Sequence, residues 1–204
     1  MSKPAHWDKV YAEKAPDAVS WYAPHLDQSL KLIEDAADSP DATIIDVGGG
    51  ESTLIDDLIA RGYRDISMLD ISQKAVDACR DRLGAAAKNI TWLVADITQA
   101  ALDTQRYDIW HDRAVFHFLT EAWQREAYVR QVIRAMKPGG TVIVATFGPE
   151  GPLSCSGLET VRYDSEGLHG EFGERFRLVG STIELHETPF GTKQQFLYCY
   201  CRVE

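Results

Sequence analysis

No stretch of this sequence approaches the roughly 20 consecutive apolar residues that a bilayer-spanning helix needs, so no membrane partner is expected. The opening residues Met1-Ser2-Lys3-Pro4-Ala5-His6-Trp7 lack the apolar core of a secretory signal, and the cytoplasm is the expected location. Cysteine is scarce. Cys79, Cys155, Cys199 and Cys201 contain no CxxC pair, which removes the usual zinc frameworks, and no metal is expected. Disulfides are not expected in a reducing compartment. Basic residues are also short: 21 Lys and Arg stand against 31 Asp and Glu, a net charge of −10. Phosphate backbones need a concentrated basic surface, so no nucleic-acid partner is expected.

What is present suits one domain spanning 1–204, with 45% hydrophobic and 25% charged residues. Residues 5–24 are rich in aromatics (Trp7, Tyr11, Trp21, Tyr22). Helical periodicity then covers 26–37, 53–61, 73–83 and 121–136. Strand-like runs cover 42–47, 65–70, 90–95, 107–112 and 141–147. Ser72 is placed to cap the helix at 73–83, and Cys79 falls on that helix's apolar face. Lys137-Pro138-Gly139-Gly140 is expected to stop the fourth helix and turn the chain. Alternating strands and helices predict an α/β fold, a parallel sheet covered on both faces. After a loop at 148–163 and a short helix at 165–172, runs at 176–186 and 193–203 are joined by too few residues for a parallel crossover. They must form an antiparallel hairpin.

Gly48-Gly49-Gly50 lies between the first strand and a helix, where glycine permits a sharp bend and close approach of a ligand. Asp70 ends the next strand, 20 residues after Gly50, where a carboxylate can accept hydrogen bonds from both ribose hydroxyls of an adenosine cofactor. A dinucleotide G-x-G-x-x-G would put its third glycine at Thr53, which it lacks. The residues instead fit acid-x-Gly-x-Gly-x-Gly, starting at Asp46, with Ser52 in the last place.

This turn resembles the first motif of class I S-adenosylmethionine-dependent methyltransferases. Asp70-Ile71-Ser72, Ala95-Asp96-Ile97, Tyr107 to Asp112, and Lys137 to Gly140 resemble later motifs of that family in order, across roughly residues 7–203. The resemblance implies a Rossmann-like, doubly wound, seven-stranded sheet, mostly parallel with an antiparallel strand from the C-terminal hairpin. It implies three parts: a cofactor-covering segment at 1–40, a cofactor-binding core at 41–147, and a substrate loop and hairpin at 148–204. It also implies S-adenosylmethionine as methyl donor, released as S-adenosylhomocysteine. Gly48 and Gly50 would accommodate its methionine end, Asp70 would bind the ribose and Asp96 with Ile97 the adenine, with Asp46, Gly49, Ser52 and Ile71 also on the cofactor. The N-terminal aromatics resemble a subgroup in which such rings cover the sulfonium, a cation attracted by an aromatic face. Trp7, Tyr11 and Trp21 are therefore expected to pack as a flap and in part to touch the cofactor.

Chemistry is expected where the fourth strand ends, since ligands in open α/β sheets sit beyond the carboxyl ends of the strands. There His111, Asp112 and Arg113 stand together, with His117 one helical turn on. His111, which also adjoins the cofactor, is a candidate base; Asp112 would orient a base, hold a cationic substrate or cap the next helix, and Arg113 would hold an anion. Cys155, Arg162, Tyr163 and His186 are candidates to line a substrate pocket, and Cys155 with Cys199 and Cys201 would offer a thiolate cluster. The expected acceptor is a small nucleophilic molecule, a thiol or related chalcogen above others. The alternatives are a protein lysine methyltransferase, a non-catalytic cofactor-binding module and, disfavoured by Thr53 and the terminal hairpin, a dinucleotide oxidoreductase.

Overall fold

The computed structural model describes residues 3–204. Its centre is a seven-stranded sheet in the order β3-β2-β1-β4-β5-β9-β8. Strands β1 (Thr43–Val47), β2 (Asp65–Asp70), β3 (Ile90–Val94), β4 (Tyr107–Arg113) and β5 (Met136–Phe147) run parallel, and β9 (Lys193–Val203) pairs antiparallel with β5. Strand β8 (Phe176–Glu187) completes the hairpin at the sheet edge. The connection from Thr188 to Thr192 is closed by Thr188 N–H donating to the Thr192 carbonyl at 2.8 Å.

The central strands are buried on both faces, as parallel strands under helices must be. All five residues of β1 are buried. One face packs Ile45, Val47, Trp110 and Val144 against α5 (Ala122–Ala135) and α6 (Ser165–Phe172). The other packs Ile44, Ile66, Met68 and Ile109 against α2 (Asp27–Ala36), α3 (Leu54–Ala60) and α4 (Gln73–Leu83). Ser72 caps α4, accepting from the Ala75 N–H, and Cys79 is buried on that helix's inner face. The aromatic N-terminal segment begins with a helix, α1 (Lys3–Glu13), which packs beside α4.

At Lys137-Pro138-Gly139-Gly140 the chain does not leave the sheet. Strand β5 starts at Met136, opposite Tyr107, and the four residues form an outward irregularity before Thr141 pairs with Ile109. Gly139 takes φ +77°, and a Cβ on Gly140 would stand 2.9 Å from the Asp108 carbonyl oxygen. Lys137 Nζ donates to Asp108 Oδ2 at 2.8 Å, which ties the irregularity to β4. The loop after β5 contains a two-stranded ribbon, β6 (Ser154–Cys155) with β7 (Leu158–Glu159). Among the described residues no helix is long and apolar enough to cross a membrane.

Candidate active site at the carboxyl ends of the strands

The cleft opens where β1, β2, β3 and β4 end, and the glycine turn forms its floor. Gly48 and Gly50 adopt φ +70° and +56°, a region in which a side chain is strained. A Cβ on Gly48 would fall 1.9 Å from Val115 Cγ2, and one on Gly50 would fall 2.6 Å from the Tyr11 hydroxyl. The turn is braced from outside. Cys79 Sγ donates to the Gly50 carbonyl at 3.1 Å, and Arg82 donates to the carbonyls of Glu51 and Ser52 at 2.8 and 2.6 Å. Burial holds the Cys79 thiol protonated, its pKa raised to about 12, which is the form that can donate.

Asp70 sits beside this turn, 4% exposed. Its Oδ2 accepts from the Gly50 N–H at 2.9 Å and its Oδ1 from the Ser72 N–H at 2.8 Å. Burial raises its pKa to about 6, and these amide donors restrain the rise. Asp96 Oδ1 accepts from the amide and the hydroxyl of Thr98 at 2.9 and 2.7 Å, which fixes the carboxylate at the end of β3. Asp46 Oδ1 meets His111 Nδ1 at 2.7 Å, while Asp46 Oδ2 is buried without a partner.

The N-terminal segment roofs the cleft. Trp7 packs against Tyr11, Trp21 and Phe118, with ring centroids 6.0, 5.9 and 5.2 Å away. Asp8 Oδ1 accepts from the Ser72 hydroxyl at 2.6 Å and the Lys74 N–H at 3.3 Å, docking α1 on the start of α4. His111, Arg113, Cys155, Phe147 and Phe196 also line the cleft.

The sequence profile of a methyltransferase domain matches residues 44–140. The mouse (Mus musculus) eEF1A lysine and N-terminal methyltransferase is 26% identical over 139 residues, covering 68% of this chain and 19% of that protein. The ubiquinone/menaquinone biosynthesis C-methyltransferase UbiE of Ectopseudomonas mendocina (strain ymp) is 23% identical over 156 residues, covering 72% of this chain and 60% of that one. The chain thus spans less than two thirds of each. Among solved structures, the N-methyltransferase NodS from Bradyrhizobium japonicum WM9, in complex with S-adenosylhomocysteine, superposes with a TM-score of 0.72 at 14% identity, over 97% of this chain and 98% of that one. A structure concerned with conversion of a disulfide bond into a thioacetal group during echinomycin biosynthesis gives 0.80 at 18% identity, over 100% and 93%. Residues 44–140 thus match a methyltransferase domain, on a fold shared with solved S-adenosylmethionine-dependent methyltransferases.

The residues lining the cleft fit S-adenosylmethionine as a methyl donor. The glycine turn leaves no room for side chains, the unpartnered Asp46 Oδ2 is free to accept from a ligand, and Asp70 and Asp96 are fixed acceptors on the cleft wall. Trp7, Tyr11, Trp21, Asp46, Gly48, Gly49, Gly50, Ser52, Asp70, Ile71, Asp96, Ile97 and His111 all line this one cleft.

The other expected residues divide. His111 and Arg113 line the cleft, but Asp112 lies on the opposite face of β4, because alternate residues of a strand point to opposite sides. Asp112 is fully buried. It accepts from the Val115 and Phe116 amides at 2.8 and 3.1 Å and from the Tyr128 hydroxyl at 2.7 Å, so it caps the turn at 116–118. Burial raises its pKa to about 7. His117 is buried against Phe118 and Phe147, outside the cleft lining, and its Nδ1 accepts from the Phe147 N–H at 3.2 Å.

Of the expected substrate residues only Cys155 lines the cleft. Burial raises its thiol pKa, so it is a neutral wall group. Arg162 donates to the Gly151 carbonyl at 3.4 Å, Tyr163 packs in the core beside Phe116, and His186 contacts the Ser20 carbonyl at 2.9 Å, holding the N-terminal segment to β8. The thiolate cluster does not form. Cys199 and Cys201 belong to the core on one face of the sheet, with Sγ atoms 4.0 Å apart, whereas Cys155 belongs to the other. Among the described residues no group of three or more His, Cys, Asp or Glu is placed to hold a metal. Asp8, Arg82 and Phe196 carry no motif and become visible only once the helices and hairpin are docked.

Proposed function

We propose that the chain is an S-adenosylmethionine-dependent methyltransferase that methylates a small nucleophilic molecule, with a thiol or related chalcogen as the leading acceptor class. When bound, S-adenosylmethionine supplies a methyl carbon already activated by sulfonium, so the protein's part is positioning and electrostatics. Asp70 and Asp96 are suited to fixing the nucleoside, and the Trp7, Tyr11 and Trp21 roof to excluding water.

The observation that carries the acceptor class is that His111, the histidine lining the cleft among the described residues, is not a free base. His111 Nδ1 faces Asp46 at 2.7 Å and its Nε2 faces the Ser29 hydroxyl at 2.9 Å, so both nitrogens are committed. A group that stays protonated at neutral pH would need such a base. A thiol, with an ordinary pKa of about 8.5, supplies its own anion readily. The apolar walls from Leu26, Trp21, Phe147 and Phe196 also suit a compact acceptor more than a protein chain, and the buried Arg113 would repel a lysine ammonium.

Release of S-adenosylhomocysteine, measured across small thiols, amines, carboxylates and basic proteins, tests this reading. Turnover with small thiols is expected. Turnover confined to basic proteins would instead establish a protein methyltransferase, in keeping with the name of the mouse relative.

A further inference from the structure

This inference rests on the acceptor reading above and adds how the acceptor is held. Arg113 is the cation at the acceptor end of the cleft, and its side chain is only 5% exposed. One terminal nitrogen donates to the Trp21 carbonyl at 3.2 Å. The other reaches Glu184 Oε2 only at 3.5 Å, and Nε has no partner. Phe196 lies against the guanidinium, its ring centroid 4.1 Å from Cζ, and holds it from one side. Glu184 is a shared and partly exposed counter-ion, since it also accepts from the Tyr198 hydroxyl at 3.4 Å.

A guanidinium carries five N–H donors, and a buried one is costly unless a charge and hydrogen bonds compensate it. Here one bond is sound, one is at the limit of contact and Nε is orphaned, in a chamber whose other walls are largely apolar. Such surroundings strengthen attraction for an anion. The committed nitrogens of His111 point the same way, because an acceptor that binds as an anion has no proton to give up.

We propose that the acceptor binds in its anionic form on the Arg113 guanidinium, displacing Glu184 as the main counter-ion. The acceptor's lone pair then forms the bond to the methyl carbon as the carbon–sulfur bond breaks toward sulfur. Anion and sulfonium give two neutral products, and no proton transfer is required.

The test uses the full chain saturated with S-adenosylhomocysteine and follows tryptophan fluorescence, since the Trp21 carbonyl accepts from Arg113. Benzoate and its neutral isostere benzamide are the probes. Benzoate should bind at least about tenfold more tightly, the preference expected of charge-assisted hydrogen bonds. Arg113→Met should abolish the preference, its retained binding of S-adenosylhomocysteine reporting that it is folded. Glu184→Gln should tighten benzoate, a gain that a merely structural ion pair would not produce. Equal affinity for the two probes, binding of neither, or a preference that survives Arg113→Met would overturn the proposal. Benzoate binding through Arg113 without turnover of any small thiol would keep this site and sink the acceptor reading instead.

Discussion

In the proposed site Asp70 serves both the glycine turn and a ligand with one carboxylate. Its oxygens already hold the Gly50 and Ser72 amides, and each keeps a lone pair for a ribose hydroxyl. Removing its charge therefore weakens both roles. Asp70→Asn should reduce affinity for S-adenosylhomocysteine by about 1.5–3 kcal/mol, as for hydrogen bonds to a charged group, read by calorimetry. Because burial lifts its pKa to about 6, protonation should also weaken wild-type binding as the pH falls below 6, and Asp70→Asn should remove that dependence. An unchanged affinity at neutral pH would take Asp70 out of the site. This position was legible from the sequence because strand, turn and acid follow one another at a fixed spacing. The end of β4 was less so. Three chemically suggestive neighbours, His111, Asp112 and Arg113, read as a cluster, yet the two-residue period of a strand sends the middle one into the core.

Elements were read from periodicity, and the strong patterns survived: α4 spans Gln73–Leu83 and β2 Asp65–Asp70, both as the sequence implies. Where local chemistry competes with pairing, the sequence misleads. Pro138-Gly139-Gly140 reads as a turn, but pairing of Met136 with Tyr107 keeps the segment in the sheet. The N-terminal aromatics gave no periodic signal for α1, whose docking depends on Asp8 meeting Ser72 and Lys74 at the start of α4, 64 and 66 residues away. A carboxylate there also meets the positive end of the helix. Asp8→Ala should loosen the roof of the cleft, lowering S-adenosylhomocysteine affinity by about 1 kcal/mol, the usual worth of such a cap. Proteolysis within residues 14–20 should accelerate in the absence of ligand. If both affinity and cleavage rate match wild type, α1 is held by its aromatic packing alone.

At the scale of the whole molecule, stability against pH separates one buried group from the general charge. The chain carries a net charge of −10, so acidification relieves self-repulsion throughout. The buried Asp70 and Asp112, with pKa raised to about 6 and 7, also favour the folded state as pH falls, since the native chain then holds protons that the unfolded chain does not. His117 acts in the opposite sense. Burial, and secondarily the nearby Arg113, lowers its pKa from 6.5 to about 3. Its Nδ1 accepts from the Phe147 amide, so in the neutral ring the proton sits on Nε2, which has no partner. Below pH 6.5 the unfolded chain gains a proton at this ring that the native chain refuses until about pH 3, so stability is lost across that window. Between pH 7 and 5 the loss is about 2 kcal/mol, from 1.36 kcal/mol per unit of pKa difference. His117→Gln removes this titration and leaves the other groups in place. The general charge effects then cancel in the comparison, and urea unfolding at the two pH values should show the variant gaining about 2 kcal/mol relative to wild type on acidification. A difference between the two chains that stays constant from pH 7 to 5 would mean that His117 is protonated within the fold.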